Sequence, residues 1–267
     1  MKNKIAVLFV VVGTVMLLAS SSFADAYYIW DTWGGTWADA DKSWTGDTLL
    51  CWAAGSSNIL EYTGWGLVGG MTTTDDMFDH FRDNWSDDMG NSYYGFDWWW
   101  DGTNDRDSAV DIANGWAQED VDGGGGFYPT LDIDDSRRWT NDLAALSTLD
   151  TWMHDGYGTT ISIAGNMAHA ITAWGYEYDA AGNYTDIYVT DSDDGTNALQ
   201  SYGLTFWDPD GLGVMPEAWY LDGGGYGTGS TNYIAEVCGL QIVPVPGAVL
   251  LGILGLSMAG EKLRKRA

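Results

Sequence analysis

The chain is short of positive charge. Lys and Arg together number 11 against 38 Asp and Glu, for a formal net charge of −27. That shortage excludes the phosphate backbone of nucleic acid and an anionic lipid surface as partners, because both are held by cationic patches. Cysteine is nearly absent, with two residues, and histidine stands at three. Two cysteines exclude a disulfide-dense scaffold and a paired-Cys zinc site. No HExxH sequence and no phosphate-cradling glycine loop occurs, so no cofactor is expected. Proline, at five residues, is also scarce.

Glycine and tryptophan fill the gap. The 36 Gly and 16 Trp point to extended strands and aromatic-lined loops rather than a helical bundle. Tryptophans in such number either line a carbohydrate or peptide groove or anchor a core, and most are expected to be anchors. The Asp-rich stretch DSDDGTN, 191–197, invites a calcium reading, but its glycine comes at the fifth position where an EF-hand loop has it at the sixth.

Both ends read as addresses. MKNK, the apolar run Ile5 to Leu18 and the small residues Ala19 to Ala24 have the order of a signal peptide, with Ser22 and Ala24 three and one before Asp25. At the other end VPVPG precedes the apolar AVLLGILGLSMAG, and EKLRKRA closes the chain with four basic residues. Val243 to Gly260 is just long enough for a membrane span, which the basic cluster would hold on the cytoplasmic side. This tail resembles the PEP-CTERM type of bacterial sorting signal, with Pro-Val-Pro in place of the usual Pro-Glu-Pro. The resemblance implies an exosortase-type enzyme as a partner, beside signal peptidase, and a secreted or cell-surface location. The expected division is a signal peptide at 1–24, one catalytic domain at 25–241 and a sorting segment at 242–267.

Within the central domain, helical spacing is expected over 49–62, around TTDDMFDHFRDNW with a capping Thr73 or Thr74, and in NDLAALSTLDTWMHDG up to Gly156. Residues 25–48 and 85–130 read as irregular. From residue 159 the period changes to two: TTISIAG, AHAITAWGYEYD, NYTDIYVTD, YGLTFWD and NYIAEVCGLQIV read as strands, with DAAGN turning between the second and third. Helices first and an antiparallel sheet afterwards make an α+β fold.

Cys51 falls at the first turn of the first expected helix. The dipole and free N–H groups there favour a thiolate, the form in which cysteine is a nucleophile. A nucleophile of this kind needs an imidazole partner and a third group to orient it. His80 and His154 sit on polar or terminal helix positions, but His169 opens an apolar strand. A hairpin turning near Ala181 sets His169 opposite Asp193 and Ile171 opposite Asp191, with both carboxylates on one strand face. The competing reading is a Cys51–Cys238 disulfide, in which Cys238 would otherwise be a small buried hydrophobe.

KSWTGDTLLCWAAGSSN and NMAHAITAWGYEYDAAGNYTDIYVTDSD together resemble the two active-site blocks of the IdeS/Mac family of immunoglobulin-degrading cysteine peptidases, over about Trp37 to Asp194. The resemblance implies a papain-like fold, a nucleophile helix packed on an antiparallel sheet. It implies Cys51 as nucleophile, His169 as base, Asp191 as its orienter, Asp193 as a supporting acid and Lys42 as an oxyanion contact beside the Cys51 amide. The expected function is a secreted cysteine endopeptidase acting on an extracellular protein. Two alternatives stand beside it: a transglutaminase-like acyl transferase, and a non-catalytic matrix or carbohydrate-binding protein with a relict triad.

Overall fold

The computed structural model describes residues 25–102, 123–142, 146–207, 216–223 and 231–243. The described chain forms strands β1 (Asp25–Tyr28), β2 (Arg137–Thr140), β3 (Tyr157–Ala164), β4 (His169–Tyr178), β5 (Tyr184–Thr190), β6 (Gln200–Trp207), β7 (Ala218–Asp222) and β8 (Tyr233–Gln241), of which β3, β4, β5, β6 and β8 are the period-two segments and β1 lies where irregular chain was expected. All their pairings are antiparallel. The spatial order runs β4-β3-β8-β7-β6-β5, and β5 pairs back onto β4. Six strands therefore close into a barrel, with β1 added along β4 and β2 along β8. The papain-like α+β layout expected from the sequence, a nucleophile helix packed on an antiparallel sheet, is corrected by this closed barrel. Closure removes the exposed edges an open sheet would carry. Its thinnest seam is β7 to β8, joined at Tyr220 and Tyr233 and by the Leu221 N–H donating to the Asn232 carbonyl at 3.0 Å.

The helices are α1 (Ile29–Trp33), α2 (Cys51–Thr63), α3 (Thr74–Asn84), α4 (Ser92–Asp101) and α5 (Leu146–His154). Thr73 caps α3 by accepting from the Asp76 N–H, and Asp76 answers in a capping box. α4 lies where a loop was expected. Asn91 caps its start, Gly102 ends it in the left-handed region, and Trp98, Trp99 and Trp100 are buried. The aromatic run offered no helical period, but tertiary burial of three indoles outweighs weak propensity.

The buried tryptophans tie α2 to the rest. Trp52, next to Cys51, is fully buried, sits edge-on to Phe81 of α3 and to Trp85, and donates its indole N–H to the Asp88 carbonyl. α2 packs against β3 and β4. Gly55 makes the approach close, since a Cβ there would stand 3.3 Å from the Thr160 methyl. Asn58, buried on the same helix, accepts from the Ala40 N–H and the Thr74 hydroxyl and donates to the Thr172 hydroxyl, all at 2.9 Å. One amide thus fixes α2 to the preceding segment, to α3 and to β4. Beyond β8, Ile242 and Val243 are half-buried and their N–H groups donate to the Gly156 and Thr63 carbonyls.

Candidate active site

Cys51 is the first residue of α2, half-buried, and Cys238 is fully enclosed on β8; both are free thiols. The disulfide alternative is thereby excluded. Cys238 pairs in register with Thr160 and Trp139, and burial pushes its thiol well above the usual range.

The hairpin register places the imidazole. Thr172 faces Thr190 and Ala173 faces Val189, as a turn centred near Ala181 requires, and a bulge at Trp174 shifts the pairing further along. His169 opens β4 and Asp191 follows β5 at the same end of the hairpin. His169 Nε2 lies 2.7 Å from Asp191 Oδ1, and both residues are buried. Cys51 lines the same cleft as the imidazole and lies near enough to raise its hold on a proton. Burial opposes charge on His169, but the hydrogen bond to Asp191 and the nearness of Cys51 outweigh it and raise the group to about 10. Burial likewise opposes charge on Asp191, and the hydrogen bond from His169 prevails, holding that carboxyl below its ordinary range. His169 is thus held charged beside a fixed anion.

Asp191 has further support. It accepts from the Asp193 N–H at 3.0 Å and from the Tyr202 hydroxyl at 3.2 Å. Tyr202, on β6, was not anticipated as a site residue. Its strand was recognised, but the pairing of β6 with β5 that turns it toward Asp191 has no local signal. Lys42 is buried, donates to the Thr48 carbonyl at 2.7 Å and pairs with Asp193 Oδ1 at 2.5 Å. Its backbone N–H donates to the Ser192 carbonyl, so the 38–42 segment is tied to the loop after β5. Asp193 Oδ2 stands 3.8 Å from His169 Nδ1. The structure therefore brings Lys42, Cys51, His169, Asp191 and Asp193 together, with Asp193 nearer to Lys42 than to the imidazole. His80 and His154 lie elsewhere, one contacting the Gly124 carbonyl, the other beside Asp150 and stacked on Tyr27.

These residues open on a cleft of about 300 Å³ lined by Lys42, Leu49, Cys51, Met89, Ile163, Met167 and His169, among others. His169, Asp191 and Asp193 offer atoms within 4.8 Å of one another, a spacing a metal would accept. Their donor atoms are already committed to each other and to Lys42, whose ammonium repels a cation.

A family model described as Mac 1 matches residues 147–206, less than a quarter of the chain, and no curated protein matches. The matched segment holds His169 and Asp191 but neither Lys42 nor Cys51. Membership of the IdeS/Mac peptidases, read over Trp37 to Asp194, does not stand on a match of that extent and is corrected to it. The cysteine-peptidase assignment goes with that correction, as do the transglutaminase-like and matrix-binding alternatives, which no comparison supports. Among the described residues no helix is long and apolar enough to cross a membrane. The signal segment 1–24 and the tail beyond Val243 lie outside the described residues, and no finding shows a PEP-CTERM signal or secretion.

Proposed function

We propose that this site is the centre of a thiol-dependent acyl hydrolase. The observation that carries the reading is the Cys51–His169–Asp191 arrangement at the mouth of the cleft. Cys51 sulfur attacks an electrophilic carbonyl carbon, forming a C–S bond as the carbonyl oxygen takes up negative charge. Lys42, which lines the cleft, and the N–H groups at the start of α2 supply the donors for that oxyanion, and the helix dipole favours it. The tetrahedral centre collapses by breaking the bond to the leaving group, which takes the proton from His169. Water then attacks the thioester with His169 as base, releasing the acid and restoring the thiol. Asp191 keeps the imidazole oriented throughout and stabilises its charged form, and Asp193 holds Lys42 in place. Leu49, Met89 and Met167, each more than a third exposed at the cleft, favour an acyl group with apolar substituents.

The test is a series of p-nitrophenyl acyl esters of increasing chain length, with mass spectrometry of the quenched enzyme. An acyl adduct confined to Cys51, lost in Cys51→Ala and formed fastest with the longer apolar chains, is the expected result. Turnover that persists in Cys51→Ala overturns the reading.

A further inference from the structure

Lys42 is the only lysine between residues 5 and 261 of the sequence, and its side chain is 2 % exposed. Its ammonium has three N–H donors. One goes to the Thr48 carbonyl at 2.7 Å and one to Asp193 Oδ1 at 2.5 Å, and the residue lines the cleft. Two residues on, Trp44 lays its indole against that ammonium, with the ring centroid 4.5 Å from Nζ. Among the described residues Trp44 is the only non-glycine with a positive φ, 61°, a conformation that a bulky side chain adopts under strain. It is also 52 % exposed, so core burial does not account for its presence. The backbone around it is fixed rather than loose. Asp47, fully buried, accepts from the Ser43 N–H at 2.7 Å, the Ser43 hydroxyl at 2.8 Å and the Thr45 N–H at 3.0 Å. Gly or Asn would suit the backbone at position 44 better, which leaves the contact with Lys42 as the gain that offsets the strain.

We propose that Trp44 is a positioning residue for Lys42: its ring caps the ammonium, keeps water from it and leaves the third N–H for the oxyanion in the cleft. An aromatic face attracts a cation most strongly where water is kept away, and Lys42 is such a case. A lysine ammonium rides on a flexible four-carbon stem, so a single contact does not fix it. The indole, the Thr48 carbonyl and Asp193 hold it from three sides. Donors fixed in advance stabilise a developing oxyanion best, because nothing has to reorganise as the charge appears. The turn that sets Trp44 also leads into the nucleophile: the Asp47 carbonyl accepts from the Leu50 N–H, and Leu50 precedes Cys51 at the start of α2. One buried carboxylate thereby ties the placement of the indole to the placement of the sulfur. The positioning role rests on the acyl-hydrolase reading, whereas the capping contact does not.

Two measurements on the full chain keep these apart. In the first, the folded chain is treated with N-hydroxysuccinimidyl acetate and acetylation of Lys42 is followed by peptide mass spectrometry. Trp44→Gly and Trp44→Asn, both tolerant of the left-handed backbone, should keep cooperative unfolding and acetylate Lys42 about 10-fold faster, while Trp44→Phe stays near the unaltered rate. Either of the first two serves if the other unfolds. In the second, p-nitrophenyl butyrate turnover should fall on the order of 10-fold in kcat with KM little changed in Trp44→Gly and Trp44→Asn, and Trp44→Phe should retain most of it. If the unaltered chain hydrolyses no ester, the acyl-hydrolase reading fails, and the acetylation rates alone decide whether the indole caps Lys42. Equal acetylation in every form, a raised KM with kcat preserved, or a Trp44→Phe form as impaired as Trp44→Gly overturns the proposal.

Discussion

His169 carries the most informative charge in the molecule. Its raised pKa means that the imidazolium's contribution to stability is fully present below the unfolded value of about 6.5 and is lost as pH rises through about 10. Asp191, held low, contributes in the opposite sense: its share is present above the ordinary carboxyl range and is lost as pH falls through its depressed folded value. Between these limits the pair stays charged, and turnover of an ester substrate should hold a plateau with an alkaline limb near pH 10, where His169 loses the proton it gives the leaving group. Asp191→Asn keeps an acceptor for the imidazole but removes the anion, so the alkaline limb should move well below pH 10 while the fold persists. An unchanged limb would show that Asp191 does not set the charge of His169. The pairing of these two residues could be anticipated in the sequence because a hairpin with a five-residue turn fixes which positions share a face. Tyr202 and Asn58 could not be assigned partners that way. Their hydrogen bonds join segments separated by 11 and 114 residues, beside the β5–β6 pairing and across the packing of α2 on β4.

At the scale of elements, β1 shows how the short pieces are held. It pairs with the C-terminal half of β4, and Tyr28 lies opposite Gly175. A Cβ at Gly175 would stand 2.3 Å from the Tyr27 carbonyl, a backbone atom with nowhere to retreat. Gly175→Ala should therefore release β1 and lower stability by about 1–3 kcal/mol, read by denaturant unfolding, with the amides of 25–28 exchanging faster. Full retention of their protection would show that β1 docks without that close contact. Long periodic elements were legible in sequence: α2, α3, β3, β4, β5 and β8 fall within a few residues of their expected spans. β2 and β7 were missed because they are four and five residues long and carry no extended alternation. α4 was missed because its Trp-Trp-Trp run is apolar on every face, a pattern that periodicity cannot read.

Over the whole molecule, closure of the barrel is what separates the two ends of the hairpin into different roles. The turn end at Asp179–Asn183 is exposed, and the other end delivers His169 and the 191–194 loop to the start of α2. Strand pattern alone specifies neither closure nor the thin β7–β8 seam, which is why the sequence led to an antiparallel sheet and not to a barrel. The net charge of −27 also bears on the site as a whole, since it disfavours anionic substrates at any face of the molecule. The central claim is that Cys51 is a reactive thiol made so by α2 and His169. It is tested most directly by alkylating the folded chain with iodoacetamide at pH 6 and mapping the labelled peptides over time. Cys51 should react at least about 100-fold faster than Cys238, and His169→Ala should remove most of that advantage. Equal labelling of the two cysteines, or a Cys51 rate untouched by His169→Ala, would contradict the account.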